Sequence, residues 1–293
     1  MGHGEARAPR ARLEPRRMSP RAAFDRGDSS IAAVAMAVGV MLLALTAPSF
    51  AMAQPSSPTP PCATRAFEGS RFTVCRYQRG ADAIQLALNG PHGPLGGFAA
   101  LARRLGPAAV ARVAFAMNAG MYEADQSPTG LLILNARTLH AADTGLGDGG
   151  NFHLLPNGVF AVDADGAVRV EETRAFLADA KHAGGGVVRW ATQSGPLLVE
   201  HGALHPKLAP DGASKNIRNG VGVAGPDVAY FVISDDPVSL GRFARFFRDE
   251  LKCPDALYFD GHVSALWAPG LGRRDTATGL GPLVVVLRGS AQP

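Results

Sequence analysis

The sequence predicts an α+β fold: a mixed, largely antiparallel β-sheet system with a few packed helices, in a single domain. Three observations predict it. After residue 62, short apolar runs with strand character clearly outnumber stretches of helical period. Glycine, present 35 times, recurs between those runs, where tight connections need it. No second linker and no internal repeat interrupts residues 62–290.

The elements follow in order. Residues 67–77 alternate and read as a hairpin strand, and residues 84–88 as another. Residues 97–105 carry helical period through Phe98, Leu101, Ala102 and Leu105, and stop at Gly106-Pro107. Short buried strands are expected at 113–117 and 131–134, then a hairpin over 159–170 turning at Asp165-Gly166. Residues 171–182 predict a helix ending in Gly184-Gly185-Gly186. Strands are expected at 187–191, 197–199, 221–224 and 228–234. The strongest helix is 237–252, with Phe243, Phe246, Phe247 and Leu251 on its apolar face. Asp236 before Pro237 reads as its N-cap. Strands at 256–260, 263–267 and 283–287 complete the set.

With 293 residues, 46% hydrophobic and 18% charged, the chain is long enough to bury a real core. A peptide hormone, a collagen, a disordered tail and a small disulfide scaffold are excluded. The formal charge of +4 is uneven, because residues 1–53 hold seven Arg against four acids. The remainder is nearly neutral, so no clustered basic face points to a nucleic-acid partner.

That Arg-rich start precedes an apolar run at 31–45 and then Ala51-Met52-Ala53. Positive segment, apolar segment and A-x-A site, in that order, read as a signal peptide cleaved after Ala53. The expected location is periplasmic or secreted, with no stable membrane association after cleavage. Residues 54–61 form a Pro/Ser linker, and residues 62–293 the folded domain. In an oxidising compartment Cys62 and Cys75 suit a disulfide, which leaves Cys253 as a buried small hydrophobe.

Several motifs fail. Gly145 to Gly150 matches G-x-G-x-x-G, but Asn151-Phe-His-Leu-Leu-Pro156 cannot start the long helix that dinucleotide binding needs. The segment reads as a flexible loop over a site. There is no H-E-x-x-H, C-x-x-C, P-loop or G-x-S-x-G, and the histidines lack metal-ligand spacing. Neither metal nor cofactor is expected.

What remains are polar groups placed straight after buried strands, where rigid backbone can fix a side chain. Asn118 ends one strand before Gly120. Thr192-Gln193-Ser194-Gly195-Pro196 joins two more. Arg218-Asn219-Gly220 opens a Gly-bearing strand, and an Arg fork suits a phosphate or carboxylate. Asp235 and Asp236 follow another strand, Asp236 as cap and Asp235 as candidate acid or base. Asp260-Gly261-His262 ends a very apolar strand, with His262 as a titrating neighbour.

These segments resemble the phosphodiester glycosidase family, the DUF2233 or NAGPA-type domain. The matching stretches are FAMNAGMY (115–122), GNFHLLPNGVF (150–160), QSGPLLV (193–199), RNGVGV (218–223) and FVISDDPVSLGRFARFFRDELKCPDALYFDGHVSALWAP (231–269). The resemblance implies hydrolysis of the bond joining C1 of N-acetylglucosamine to a phosphodiester. The expected partner is then a carbohydrate phosphodiester substrate. On that reading Asp260 and Asp235 form the catalytic carboxylate pair. Arg218 takes the phosphate, and Asn118, Asn219, Ser194, Gly261 and His262 contribute to substrate binding. The loop 123–130, and His262 where many relatives carry Ser, depart from the family pattern. Two other classes compete: a non-catalytic cell-envelope glycan-binding protein, and a metal-dependent phosphodiesterase.

Overall fold

The computed structural model describes residues 60–147, 149–179 and 187–289. All of them lie in the compact unit Ser56–Pro293. The expected signal peptide, most of the linker and the glycines 184–186 lie outside the described residues.

The unit is mostly antiparallel β-sheet with few helices. Its seven-stranded sheet runs, in spatial order, β1 (Cys62–Phe67), β2 (Ser70–Gln78), β15 (Val228–Ser234), β14 (Asn219–Val223), β16 (Asp255–Asp260), β12 (Leu197–Glu200) and β13 (Ala203–Leu204). A five-stranded sheet runs β10 (Val168–Glu172), β9 (Gly158–Asp163), β11 (Val188–Ser194), β7 (Leu132–Leu134) and β8 (Arg137–His140). Another runs β18 (Arg273–Arg274), β17 (Leu266–Ala268), β6 (Val113–Asn118), β19 (Leu283–Arg288) and β3 (Asp82–Ala87). A small ribbon pairs β4 (Asn89–Gly90) with β5 (Gly93–Pro94). The helices are α1 (Phe98–Val110), α2 (Thr173–Ala178) and α3 (Leu240–Arg245), the last continuing into a π-helical turn, Phe246–Glu250.

Side-chain alternation explains the layering. The inner faces of all three large sheets share one core, which includes Phe115, Phe160, Phe231, Ile233, Leu257, Phe259 and Val284. Each outer face is covered by a helix. Phe243, Phe246 and Phe247 pack on Phe72, Val74 and Tyr258; Phe98 and Leu101 on Trp267 and Val285; Phe176 on Val159 and Ala161. A strand covered on both sides reads as continuously apolar, as Ala256-Leu-Tyr-Phe259 does. The helical cover over β14 needs bare backbone. A Cβ at Gly222 would lie 2.5 Å from the Phe247 ring and 2.8 Å from Cys253 Sγ.

Most expected strands form, with shifted ends. Three helix expectations change. Gly106 does break α1, with φ 74°, but the chain resumes a helical turn through Val110 behind Pro107. The expected helix at 171–182 is shorter: Glu171 and Glu172 finish β10, and α2 covers only Thr173–Ala178. Asp236 is not the N-cap of α3. Backbone bonds between Val238 and Asn216 hold Val238 extended, so the helix starts at Leu240. Ser239 caps it, its Oγ accepting from Arg242 N at 3.1 Å. Asp236 instead accepts from Arg71 N at 2.8 Å and Arg71 Nη2 at 2.9 Å. Cys62 and Cys75 face each other across β1 and β2 and are disulfide-bonded. Cys253 is buried and free, and burial pushes its thiol up to about 12.

Candidate active site

The ends of β6, β14 and β16 converge on Asp260. Its Oδ1 accepts from the backbone N–H of Gly261 at 2.6 Å, His262 at 2.7 Å and Val263 at 3.4 Å. This turn fixes the carboxylate and leaves Oδ2 without a hydrogen-bond partner among the described residues. Burial holds the Asp260 carboxyl above the usual carboxylate range, against the lowering effect of those three N–H groups. His262 is exposed beside it.

Beneath the turn lies Arg218, only 1% exposed. Its Nε donates to Val238 O at 2.8 Å, Nη1 to the Tyr258 hydroxyl at 2.8 Å, and Nη2 to Ser214 O at 3.0 Å. No carboxylate pairs with it among the described residues. Its guanidinium is therefore committed to neutral acceptors. Burial pushes the Tyr258 hydroxyl up to about 12. Gly261 is required by this arrangement. A Cβ there would run into the Tyr258 hydroxyl and stand 3.0 Å from Arg218 Nη1.

Three other expected site residues brace the same turn. Asn118 Nδ2 donates to Val263 O at 2.9 Å, and its Oδ1 accepts from Ala265 N at 2.9 Å. Asn219 Nδ2 donates to Asn118 O at 2.7 Å, while its Oδ1 accepts from Ser264 Oγ at 3.1 Å. Ser194 Oγ donates to Phe259 O at 3.0 Å and accepts from Met121 N at 3.4 Å. These buried groups join three sheets at one point, and their polar atoms are occupied by the chain itself.

Asp235 is not brought together with Asp260. Asn219 of β14 is paired on one side with Ile233 and on the other with Asp260. Two strand spacings put the strands of Asp235 and Asp260 about 10 Å apart. Asp235 accepts from Arg273 Nη1 at 2.6 Å and Thr73 Oγ1 at 2.9 Å, so its carboxylate is engaged by those two side chains.

Sequence reading passed over two residues of this region as site residues, Tyr258 and Tyr122; the Tyr122 hydroxyl is buried, and burial pushes it up to about 12. Gln193, read in the sequence only as part of a polar run between two strands, accepts at Oε1 from Leu131 N and Asp143 N, both at 2.9 Å, so it anchors two loops. Asp143 in turn bonds His153 at 3.1 Å, and the Gly145 N–H and His153 hold its carboxyl below the ordinary range. A strand-end Asn or Asp signals itself in sequence; a Tyr inside an apolar run does not. Among the described residues, no group of three or more His, Cys, Asp or Glu side chains is gathered to hold a metal ion.

Fold and site together define a β-sheet protein that displays one half-buried carboxylate, held by backbone amides, where its central strands end. The chain belongs to the phosphodiester glycosidase family (NAGPA), which matches residues 111–281. That span contains every candidate residue above. The uncharacterized protein YigE of Escherichia coli (strain K12) is 35% identical over 161 residues, 54% of this chain and 59% of that protein. Among solved structures, the fold is shared with the zebrafish N-acetylglucosamine-1-phosphodiester alpha-N-acetylglucosaminidase catalytic domain, auto-inhibited by its pro-peptide. The TM-score is 0.52 at 12% identity, covering 78% of this chain and 82% of that one.

Proposed function

We propose that the protein is an exported hydrolase that cleaves the sugar C1–O bond of a glycosyl phosphodiester of the N-acetylglucosamine type. One observation carries the reading: Asp260, anchored through Oδ1, presents Oδ2 unpartnered from a buried setting within the family-matched span. A carboxyl raised by burial is a stronger base and nucleophile once ionised than an exposed one.

The chemistry suits a single working carboxylate. A phosphodiester departs as a stabilised phosphate monoester, so the leaving oxygen has little need of a proton from the enzyme. The demand falls on the electron-poor C1 centre. Asp260 meets it through Oδ2, by attacking C1 or by taking a proton from the water that does. Overall the C1–O bond breaks, water supplies the new C1 hydroxyl, and its other proton ends on phosphate or in solvent. The exposed His262 imidazole is the side chain placed to meet phosphate. Arg218, Tyr258, Asn118, Asn219 and Ser194 hold the turn in shape. Export is supported by the pattern of residues 1–53 and by the Cys62–Cys75 disulfide, which belongs in an oxidising compartment.

The test is incubation with N-acetylglucosamine-1-phospho-6-mannose, with and without EDTA. Free N-acetylglucosamine and mannose 6-phosphate, formed by the wild type and lost in Asp260→Asn, support the proposal. Activity abolished by EDTA would favour a metal-dependent phosphodiesterase. Tight substrate binding with no turnover would favour a glycan-binding protein.

A further inference from the structure

We propose that a cationic groove along α1, on the flank of the Asp260 turn, binds an anionic glycan chain whose sugars are joined by repeated phosphates. The inference deepens the proposed function by naming a polymeric sugar phosphodiester as the substrate class, and it rests on that reading.

Two cavities adjoin at Arg103. One, of about 390 Å³, lies between α1 and the β4–β5 ribbon and is lined by His92, Arg103 and Arg104. The other, of about 330 Å³, lies where the first turn of α1 meets residues 274–278 and is lined by Arg103, Arg274, Thr276 and Thr278. Leu95, Ala100 and Arg103 line both, which makes them one groove. Beyond residue 53 the chain is nearly neutral, so these guanidinium groups and an imidazole along one groove are a local concentration of positive charge. The first cavity has no acidic lining residue. The acid lining the second, Asp275, is occupied by Arg273 and by the Leu266 N–H.

The cations are held in different ways. Arg274 Nη2 donates to Phe98 O at 2.9 Å, and its guanidinium carbon stands 4.8 Å from the Trp267 ring centroid, so this cation is fixed in place. Arg104 Nη1 donates to Asn89 O at 2.8 Å. Arg103, between them, is exposed and has no hydrogen bond or ion pair among the described residues. A row of guanidinium groups suits successive phosphates, and the exposed Thr276 and Thr278 hydroxyls suit sugar hydroxyls.

Packing ties the groove to the site. Phe98 and Ala277, which line the second cavity, pack in one cluster with Val263, whose N–H is the third donor to Asp260 Oδ1. A chain held at Asp260 therefore has this groove beside it. The lining also favours a glycan over a membrane or a nucleic acid. A membrane-binding face inserts apolar side chains, and none of the exposed large apolar side chains among the described residues lines either cavity. Unpaired bases need aromatic platforms, and no Phe, Tyr or Trp ring is exposed in the lining.

The test is calorimetric titration of poly(N-acetylglucosamine 1-phosphate) into the full chain carrying Asp260→Asn, so that the polymer is not consumed, with and without Arg103→Glu. At low salt Arg103→Glu should weaken binding about 10-fold or more, and the gap should narrow as salt is raised. Melting temperature should hold, because the position is exposed and unpaired. If it falls, Arg103→Ala, which installs the best helix former, replaces it and should weaken binding about 3-fold or more. With Asp260 intact, Arg103→Glu should lower kcat/KM for the polymer by about 10-fold and leave that for N-acetylglucosamine-1-phospho-6-mannose, with its single phosphate, within about 2-fold. Polymer binding by the Arg103 variant within about 2-fold of its parent overturns the inference. So does an equal loss on both substrates, and so does Arg103-dependent binding to phosphatidylglycerol vesicles without binding of the polymer. Absence of any sugar-phosphodiester cleavage by the wild type would sink the proposed function instead, and calorimetry would still decide the groove.

Discussion

Gly261→Ala is the perturbation whose cost can be worked from the structure atom by atom. Gly261 is not among the positive-φ residues, so the backbone there tolerates an L side chain. Space is the obstacle. The new methyl would overlap the Tyr258 hydroxyl, lie 3.2 Å from Tyr258 Cζ and 3.0 Å from Arg218 Nη1. Tyr258 can yield only by giving up its 2.8 Å bond from Arg218. A displaced bond to a charged group costs about 1.5–3 kcal/mol, and overpacking of this kind about 1–3 kcal/mol. Lower chain entropy in the unfolded state returns about 0.4–1 kcal/mol. The net is a loss of about 2–4 kcal/mol, or a drop of roughly 5–15 °C in melting temperature for a unit of this size. Thermal and urea unfolding measure it. The decisive arm is the same substitution in a Tyr258→Phe background. With the hydroxyl gone, the methyl has room, and Gly261→Ala should cost at least about 1 kcal/mol less there. Costs that add within about 0.5 kcal/mol in the two backgrounds would refute the steric reasoning.

Three further outcomes follow from the same geometry. Burial raises the folded-state pKa of Asp260, so its charge opposes folding as pH climbs above the unfolded value of about 3.9. Asp260→Asn, which still accepts the turn N–H groups, should therefore melt above wild type near pH 7, the gap closing below about pH 4; a lower melting temperature at pH 7 would contradict this. Asp235→Asn should weaken the Arg273 ion pair yet leave kcat/KM within a few-fold of wild type, while Asp260→Asn loses about 10²–10⁴-fold; equal losses would restore Asp235 to the chemistry. Replacing Cys62 and Cys75 with Ala should lower stability by about 3 kcal/mol, given their separation of 13 residues, with kcat unchanged, as urea unfolding and steady-state kinetics will show.

Much of the fold was legible because buried strands write themselves as apolar runs. Val228–Ser234 forms as residues 228–234 suggest, because β15 is covered on both faces. The two-residue strands β4, β5, β13 and β18 and the fully exposed β8 carry no such run. The start of α3 was misread because Asp236-Pro237 looks like a cap in sequence, whereas distant partners, Arg71 and Asn216, decide it. The site shows the same division. Asn118, Ser194, Arg218, Asn219, Asp260 and Gly261 all gather where the strand ends suggest. Their jobs were not legible, since a job depends on partners far along the chain. Arg218 looks like a phosphate fork until Val238, Tyr258 and Ser214 occupy its donors. Asp235 looks free until Arg273, 38 residues on, claims it. Tyr258 sits in an apolar run that hides its hydroxyl from a pattern-based reading.

The measurement that tests the central proposal most directly is hydrolysis of N-acetylglucosamine-1-phospho-6-mannose in 18O-water, with both products weighed by mass spectrometry. Cleavage at the sugar C1–O bond places the label in N-acetylglucosamine and leaves mannose 6-phosphate unlabelled. Label in the phosphate would mean P–O cleavage and would contradict the role given to Asp260.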